Sequence, residues 1–583
     1  MSNYLGLPLV ALLLLTATAQ TESFAAPTPP AHSSASVTSQ PLLDPGIVRM
    51  LNRVDVNRIS ADIQTLVAFG TRNTCSDNSG ASPGIGAARD WIRNRYLSIP
   101  GLQVRLVPWQ MERCGDGTRR TLQNVIAWIP GRRHPNRLIV IGAHYDSRTT
   151  NVQDGVSPAP GANDSGSQTA LVLEAARVMA GHAFDATVVF ADWSGEEQGL
   201  FGSKDFVQEY LNYFPNGTLE LNLNSDDVGG DNVVNDATTL QQFDLFSPGT
   251  PREFGFAPNG STDDTSPSRG VMRQIGYWGG AYVPSMTMLP QLREAPPGRQ
   301  SDHTAFIAKA IPGVRFRQVK MNPPHRHSPY DLYIYCTPAF TARLCQVVVA
   351  SAASVARAPT PPLNIVVARG TLSGTLQLTW SPPVSGSTVH HYVISARTSR
   401  ENLYRTRVVV PRDLTSATVD VFQDLGIPAA TAYYVSIAAV DAAGHESLYA
   451  YPEYRCDSKN RCSPPANALN VTAIATPPPE LPALRGLTYN GGIPFADGTI
   501  LTKGTSYTVT AQANSNTQSV VFSRDGGVAV LGIDSASPFD VTWTPTIIGT
   551  HTLTVTPWSS AEGKGTRGPS IRLSYYTVSA PGE

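Results

Sequence analysis

His144 and Asp146 follow a continuous apolar run, Leu138–Gly142, in the segment Ala143-His144-Tyr145-Asp146-Ser147. Asp164 stands in Gly161-Ala162-Asn163-Asp164-Ser165-Gly166, directly before a stretch of helical spacing. Glu196 and Glu197 follow a second apolar run, Ala186–Ala191. Asp226 and Asp227 follow Leu219–Asn224, which alternates apolar and polar residues and reads as a third strand, and His325 and His327 come after a run that includes Val314-Arg315-Phe316. Imidazole nitrogens and carboxylate oxygens are ordinary zinc ligands. One carboxylate bridging two ions, with two more ligands on each, requires five side chains, and His144, Asp164, Glu197, Asp226 and His327 supply them. Two such ions can share an activated water and polarise a carbonyl. The water needs a base. Glu196 adjoins Glu197, so a turn can aim one carboxylate at metal and the other at water. Singly these residues say little, since a pair of glutamates is usually a solvated surface feature and an Asp before a helix is usually a cap. Their recurrence at successive strand ends sets them apart.

The elements that must hold them follow from the same stretch. Leu138–Gly142 is apolar throughout, as a strand buried on both faces should be, and Ala186–Ala191 repeats the pattern. Ser167–Ala180 and Leu200–Leu211 carry helical spacing, and Thr337–Ala358 reads as a long closing helix with Thr337-Pro338 as its start signal. Strands alternating with helices predict an α/β domain built on a mostly parallel mixed sheet with helices on both faces. In such a sheet, ligands gather at the carboxyl ends of the strands.

Beyond Ala358-Pro359-Thr360-Pro361-Pro362 the texture changes to short alternating strands without helical spacing. A second proline run, Pro477-Pro478-Pro479, opens another such stretch. Each is about the length of a β-sandwich, so two all-β sandwich domains are expected after the α/β domain. The expected division is a signal peptide over 1–26, a linker or short propeptide over 27–43, the α/β domain over 44–358, and sandwiches over 360–472 and 480–583. With 583 residues the chain is too long for one core. A net charge of -1, with no Lys/Arg block, argues against nucleic acid as a partner.

Leu5–Ala19 is an apolar run of signal-peptide length followed by small residues, although Met1–Tyr4 carries no Lys or Arg. The expectation is a secreted or periplasmic protein with no membrane span after signal removal. Six cysteines in an exported chain favour disulfides. The local couples Cys75 with Cys114, Cys336 with Cys345 and Cys456 with Cys462 are the preferred pairing, and none has zinc-finger spacing.

The motifs AHYDS, GANDSGS, SGEEQGLFGS, SDDVGG, SDHTAF and HSPYD together resemble the co-catalytic zinc aminopeptidase family, which includes secreted bacterial leucyl aminopeptidases. The resemblance runs over roughly residues 120–355. It implies two zinc ions per chain, one held by His144 and Asp226, the other by Glu197 and His327, with Asp164 bridging. Glu196 becomes the general base and acid, and Asp146 orients His144 through its second ring nitrogen. Asp331 is implied near His327, and His303 is expected to line the substrate pocket. The family usually has an apolar residue where Asp227 stands, which leaves Asp226 and Asp227 as competing ligands; the spacing to Gly229 favours Asp226. The implied activity is hydrolysis of amino-terminal residues from peptide or protein substrates. A carboxypeptidase, dipeptidase or glutaminyl cyclase on the same fold is the alternative, and a non-catalytic adhesin is a third reading. A carboxypeptidase needs basic residues aimed at a terminal carboxylate, which sequence cannot assign among Arg293, Arg299 and Arg315.

Leu376–Pro383, with Trp380, together with His391–Ile394 and Tyr434–Gly444 resemble a fibronectin type III domain, in which Cys456 and Cys462 would staple a trailing loop. Phe539–Trp543 and Gly549–Val555 resemble a bacterial immunoglobulin-like domain. Such domains could bind cell-surface or polymeric substrate, or act as spacers. The protein is expected to be a monomer.

Overall fold

The structure, a computed structural model, describes residues 43–247, 266–292, 300–383, 388–404, 406–464, 484–496, 498–513, 517–525, 529–567 and 570–579. The expected signal peptide, nearly all of the 27–43 linker, Pro477–Pro479, Arg293 and Arg299 lie outside them.

An eight-stranded sheet occupies the first half of the chain. Its strands are β1 (Gln103–Met111), β2 (Arg120–Ile129), β3 (His134–His144), β4 (Ala186–Trp193), β5 (Thr218–Ser225), β6 (Gln242–Phe246), β7 (Thr287–Gln291) and β8 (Gly313–Arg317), in the order β1-β2-β4-β3-β5-β8-β6-β7. The central run β4-β3-β5-β8 is parallel. Antiparallel pairs join β1 to β2, β2 to β4 and β8 to β6, while β6 and β7 are parallel. The sheet is therefore mixed, with its parallel strands at the centre.

Helices cover both faces. α1 (Pro45–Leu51), α2 (Val56–Ala68), α3 (Ile85–Leu97), α4 (Gln168–Met179), α6 (Pro267–Tyr282) and α8 (Pro338–Arg357) contribute to one side, and α5 (Phe201–Glu209) and α7 (His303–Ile307) to the other. Strand alternation divides the core between them. Ile139 and Ile141 of β3 join the larger cluster, and Leu138 and Val140 the smaller. Leu138–Gly142 is apolar without a break because both of its faces are buried. α8 is long and apolar enough to cross a membrane by composition, but it is a core helix, buried along most of its length.

The two β regions are sandwiches. In the first, strands Leu363–Arg369, Thr375–Ser381 and Ser416–Asp420 face a five-stranded sheet centred on His391–Thr398 and Tyr433–Val440, with Trp380 and Tyr392 in one shared core. In the second, a four-stranded sheet faces a six-stranded one around Val509, Phe522, Trp543 and Tyr575. Its pairings are antiparallel except Thr499–Thr502 with Ile571–Val578.

Cys75 is bonded to Cys114, and Cys456 to Cys462. The expected Cys336–Cys345 bond is not formed; both residues are buried thiols. Cys336 precedes the start of α8 and packs near Ile59 and Ile63 of α2, whereas Cys345 lies two turns into α8 with its Sγ at Leu171 of α4. Seven helical residues after Pro338 carry the chain roughly 10 Å along the axis, beyond the reach of a disulfide.

The first sandwich is braced against α6. Gln274, fully buried, donates through Nε2 to the Ser447 carbonyl and accepts from Tyr449 N at 3.1 Å. Arg273 Nε donates to the Asn402 carbonyl at 3.1 Å, and its guanidinium lies 3.6 Å from Glu453. Arg407, ion-paired with Glu446, stacks 4.1 Å above the Tyr277 ring, and Leu448 joins the larger core of the α/β domain. Gln274→Leu keeps the volume but leaves both main-chain groups of this seam unpaired. It is expected to cost about 1–3 kcal/mol in urea unfolding followed by tryptophan fluorescence; a midpoint equal to the parent's would show that the seam contributes nothing.

Candidate metal centre

The parallel strands all end at one place. His144 is the last residue of β3, the Glu196-Glu197 turn follows β4, Asp226 follows β5, and the segment carrying His325–His327 follows β8. Asp164 arrives from the single wide turn Ala162–Ser167 that leads into α4. Gly195 makes the glutamate turn possible: its φ is +76°, and a Cβ there would sit 2.5 Å from the Trp109 ring.

Two triads meet at Asp164. His144 Nε2 lies 3.2 Å from Asp164 Oδ1 and 3.6 Å from Asp226 Oδ1. His327 Nε2 lies 3.0 Å from Asp164 Oδ2 and 3.3 Å from Glu197 Oε2. Within each triad the candidate ligand atoms lie within 4.8 Å of one another. Both oxygens of Asp164 and of Asp226, Glu197 Oε1 and His327 Nε2 are buried and have no hydrogen-bond partner among the described residues. Bare carboxylate oxygens away from water are costly unless a cation meets them. The donor set, two His/Asp/Asp or His/Asp/Glu groups sharing one carboxylate, fits a pair of zinc ions.

Around the triads, further groups hold the ligands in place. His144 Nδ1 lies 3.1 Å from the main-chain oxygen of Asp146, closer than the 3.5 Å to its carboxylate. The expected orienting partner is thus Asp146, but chiefly through its backbone. This partner leaves Nε2 as the lone-pair nitrogen that a metal requires. The Asp146 carboxylate meets Thr74 Oγ1 at 3.1 Å and the backbone N–H groups of Glu196 and Glu197 at 3.3 and 3.2 Å. Asp331 accepts from Asn163 N at 2.8 Å and Asp164 N at 2.9 Å, which anchors the bridging loop.

Asp226 and Asp227 diverge because Asp227 is left-handed, with φ +57°. Asp226 turns to His144; Asp227 turns to Arg326 Nε at 3.1 Å and to Arg315 at 3.0 Å. His325 stands outside the triads, 2.8 Å from Asp231 and stacked on Tyr335. His303, expected at the pocket wall, has no exposed surface and begins α7. The group of that segment coupled to the site is Asp302, whose charge is felt by Glu196.

The electrostatics divide the carboxyls by role. Burial raises the Glu196 pKa well above the ordinary value, and Glu197, Asp226 and Asp302 add to this against the pull of His144. Burial also acts to raise Asp164, yet Arg326 and the two imidazoles hold it well below the usual carboxylate range. Asp226 is likewise lowered, since Arg315 and His144 outweigh its burial. Burial pushes Asp302 and Asp331 up to about 7 and Asp227 to about 6.

Arg148 and Arg326 escaped the sequence reading, although each adjoins a motif it used: Arg148 follows AHYDS and Arg326 sits between His325 and His327. Arg148 Nε donates to Glu197 Oε2 at 2.5 Å, and Arg326 Nε lies 2.9 Å from Asp164 Oδ2. Arg315 is 2% exposed and committed to Asp226 and Asp227, so it does not face a substrate.

Known proteins agree with this architecture. Residues 124–352 match Peptidase family M28, residues 359–453 the fibronectin type III domain and residues 496–555 the bacterial Ig domain. A probable zinc metalloprotease of Pyricularia oryzae is 34% identical over 381 residues, covering 60% of this chain and 74% of its own. A probable zinc metalloprotease of Pyrenophora tritici-repentis is 31% identical over 400 residues, covering 64% and 82%. Among solved structures, the Legionella pneumophila LapA aminopeptidase is 20% identical with a TM-score of 0.41, covering 53% of this chain and 74% of its own.

Burial acts to lower the His327 pKa, but Glu197 and Asp164 overcome it and bring it to about 9 in the metal-free chain. A metal takes only the neutral ring, so zinc uptake at neutral pH must expel this proton. Zinc affinity at the His327 triad is expected to climb with pH, about tenfold per unit, until His327 has lost its proton near pH 9. Calorimetry in two buffers of different ionisation enthalpy reads the proton directly; identical heats in both would contradict the assignment.

Proposed function

The chain belongs to peptidase family M28, and we propose that it is an exported zinc aminopeptidase that removes amino-terminal residues from peptides. The observation that carries this reading is the pair of triads sharing Asp164, with both oxygens of Asp164 and of Asp226 buried and without a hydrogen bond among the described residues. Two ions are read from the two triads, each with its own imidazole and its own second carboxylate beside the shared Asp164.

In this reading His144, Asp164 and Asp226 hold one zinc, and Asp164, Glu197 and His327 hold the other. Bound there, the pair would polarise the scissile carbonyl and lower the pKa of a water between them. Glu196 takes the proton of the attacking water and returns it to the leaving amine. Burial and the neighbouring carboxylates raise its pKa, which strengthens it as a proton acceptor. Asp146 fixes the turn that presents Glu196, by accepting from its N–H. Asp302 and the other carboxylates give the substrate's free amine an anionic setting.

The same reading keeps the expected division of the chain: signal peptide 1–26, linker 27–43, peptidase 44–358, and sandwiches 360–472 and 480–583. Two disulfides and the fibronectin type III and bacterial Ig matches support an extracytoplasmic location. Peptides or proteins are the substrates, the working form is a monomer, and the sandwiches are open to contact with cell-surface or polymeric material.

Purified protein is expected to hold two zinc ions and to hydrolyse leucine p-nitroanilide but not its N-acetylated form. Glu196→Gln should keep both metals, by elemental analysis, while kcat falls about 100- to 10,000-fold, the range for a lost general acid–base. A zinc-loaded Gln variant with near-parent turnover would refute the role of Glu196. Hydrolysis that requires a free carboxyl end instead of a free amine would refute the aminopeptidase reading.

A further inference from the structure

We propose that Arg326, assisted by Arg148, is a specificity clamp for a carboxylate carried by the substrate beside the scissile bond. The inference rests on the aminopeptidase reading above and adds to it the charge class of the preferred substrate.

Location comes first. Arg326 Nε touches Asp164 Oδ2 at 2.9 Å, and that oxygen lies 3.0 Å from His327 Nε2. Arg148 Nε touches Glu197 Oε2 at 2.5 Å, and that oxygen lies 3.3 Å from the same Nε2. Both Nε atoms therefore stand within about 6 Å of His327 Nε2, beside the second triad.

Their anchoring then decides which atoms are offered. The one side-chain hydrogen bond of Arg326 runs from Nε to Asp227 Oδ1 at 3.1 Å, and Asp227 is itself gripped by Arg315 at 3.0 Å. The guanidinium plane is thus fixed, and both Nη groups are left without a hydrogen bond among the described residues. Arg148 spends Nε on Glu197 and Nη1 on the Thr149 carbonyl, leaving Nη2.

Exposure separates these two from their neighbour. The side chains of Arg326 and Arg148 are 22% and 16% exposed, whereas Arg315 is 2% exposed with both of its carboxylates in place. Neutralising ligand charge needs only a buried cation, which Arg315 already is. A fixed guanidinium that keeps two parallel donors open matches a carboxylate in bidentate geometry, which a lysine cannot do. The carboxylate could belong to an acidic first residue or to the free end of a dipeptide; the chemistry of recognition is the same.

Two matched pairs distinguish the sources: glutamate against glutamine p-nitroanilide, and Leu-Gly against Leu-Gly amide. Zinc-loaded full-length protein is expected to favour the charged member of at least one pair by about 10- to 100-fold in kcat/KM, the usual worth of a charged hydrogen bond. The pair that shows it names the source. Arg326→Gln should remove the preference, read as the ratio of kcat/KM within each pair so that a change in zinc loading, which affects both members alike, cancels; Arg326→Lys should restore only part of it. Equal kcat/KM within both pairs for the parent protein would overturn the clamp while leaving the aminopeptidase reading intact. So would a preference that survives in Arg326→Gln. Failure to cleave any of the four substrates would remove the aminopeptidase reading and this inference with it.

Discussion

The carboxylate of Asp164 is the constraint to which the site answers. Its two oxygens address different imidazoles, so its plane and position set the separation of the two triads. The chain spends much polar structure on holding it there. Asp331 accepts the N–H groups of Asn163 and Asp164, and Arg72, fully buried, donates to the carbonyls of Pro160 and Gly161 on the same loop. A carboxylate so placed cannot relax toward solvent, and burial of this kind is tolerable only where cations answer it. The arginines supply part of that answer in the protein itself; the bare oxygens mark the part left to metal.

The sheet supplies position and the loops supply aim. Parallel strands bring their carboxyl ends to one edge, which is why residues far apart along the chain converge. Finer steering falls to a few main-chain features. Gly195 turns the chain so that Glu196 and Glu197 leave in different directions, while the Asp146 carboxylate ties down both of their N–H groups. The left-handed backbone at Asp227 sends two successive carboxylates to different partners. One of them enters a triad, and the other holds the arginine that stands over the bridging carboxylate.

β3 and β4 could be read directly from the sequence because burial on both faces leaves an uninterrupted apolar run, β5 from its alternation, and α4, α5 and α8 from their helical spacing; α6, the second-longest helix, was not read. β1, β2, β6 and β7 could not be read: they lie toward the sheet edges, β1 and β2 mix exposed or half-buried with buried positions, which blurs the period, and β7 has no fully buried position. The ligand candidates were legible because His144, Glu197 and Asp226 fall just past strand signatures, Asp164 just before a helix, and His327 in the HSPYD motif. Arg148 and Arg326 were not, since an arginine beside a motif carries no sign of where its long side chain lies. The Cys336–Cys345 pairing misled for a related reason: closeness in sequence becomes distance once a helix begins between two residues. The role of Asp146 was half legible. Its nearness to His144 could be inferred, but not that its main-chain oxygen would do most of the orienting.

The seam between α6 and the first sandwich has a consequence for how this protein can change over time. Gln274 engages the backbone of Ser447 and Tyr449, with no side-chain group of the sandwich involved. Ser447 and Tyr449 themselves can therefore be exchanged as long as the chain keeps its path, while Glu453, Arg407 and Leu448 of the sandwich stay tied to α6 and its core by their side chains, and the helix side must retain a carboxamide of that length. Divergence among related chains should accumulate unevenly across the junction, fastest where only backbone is read and slowest at Gln274 and the few sandwich side chains that meet the helix.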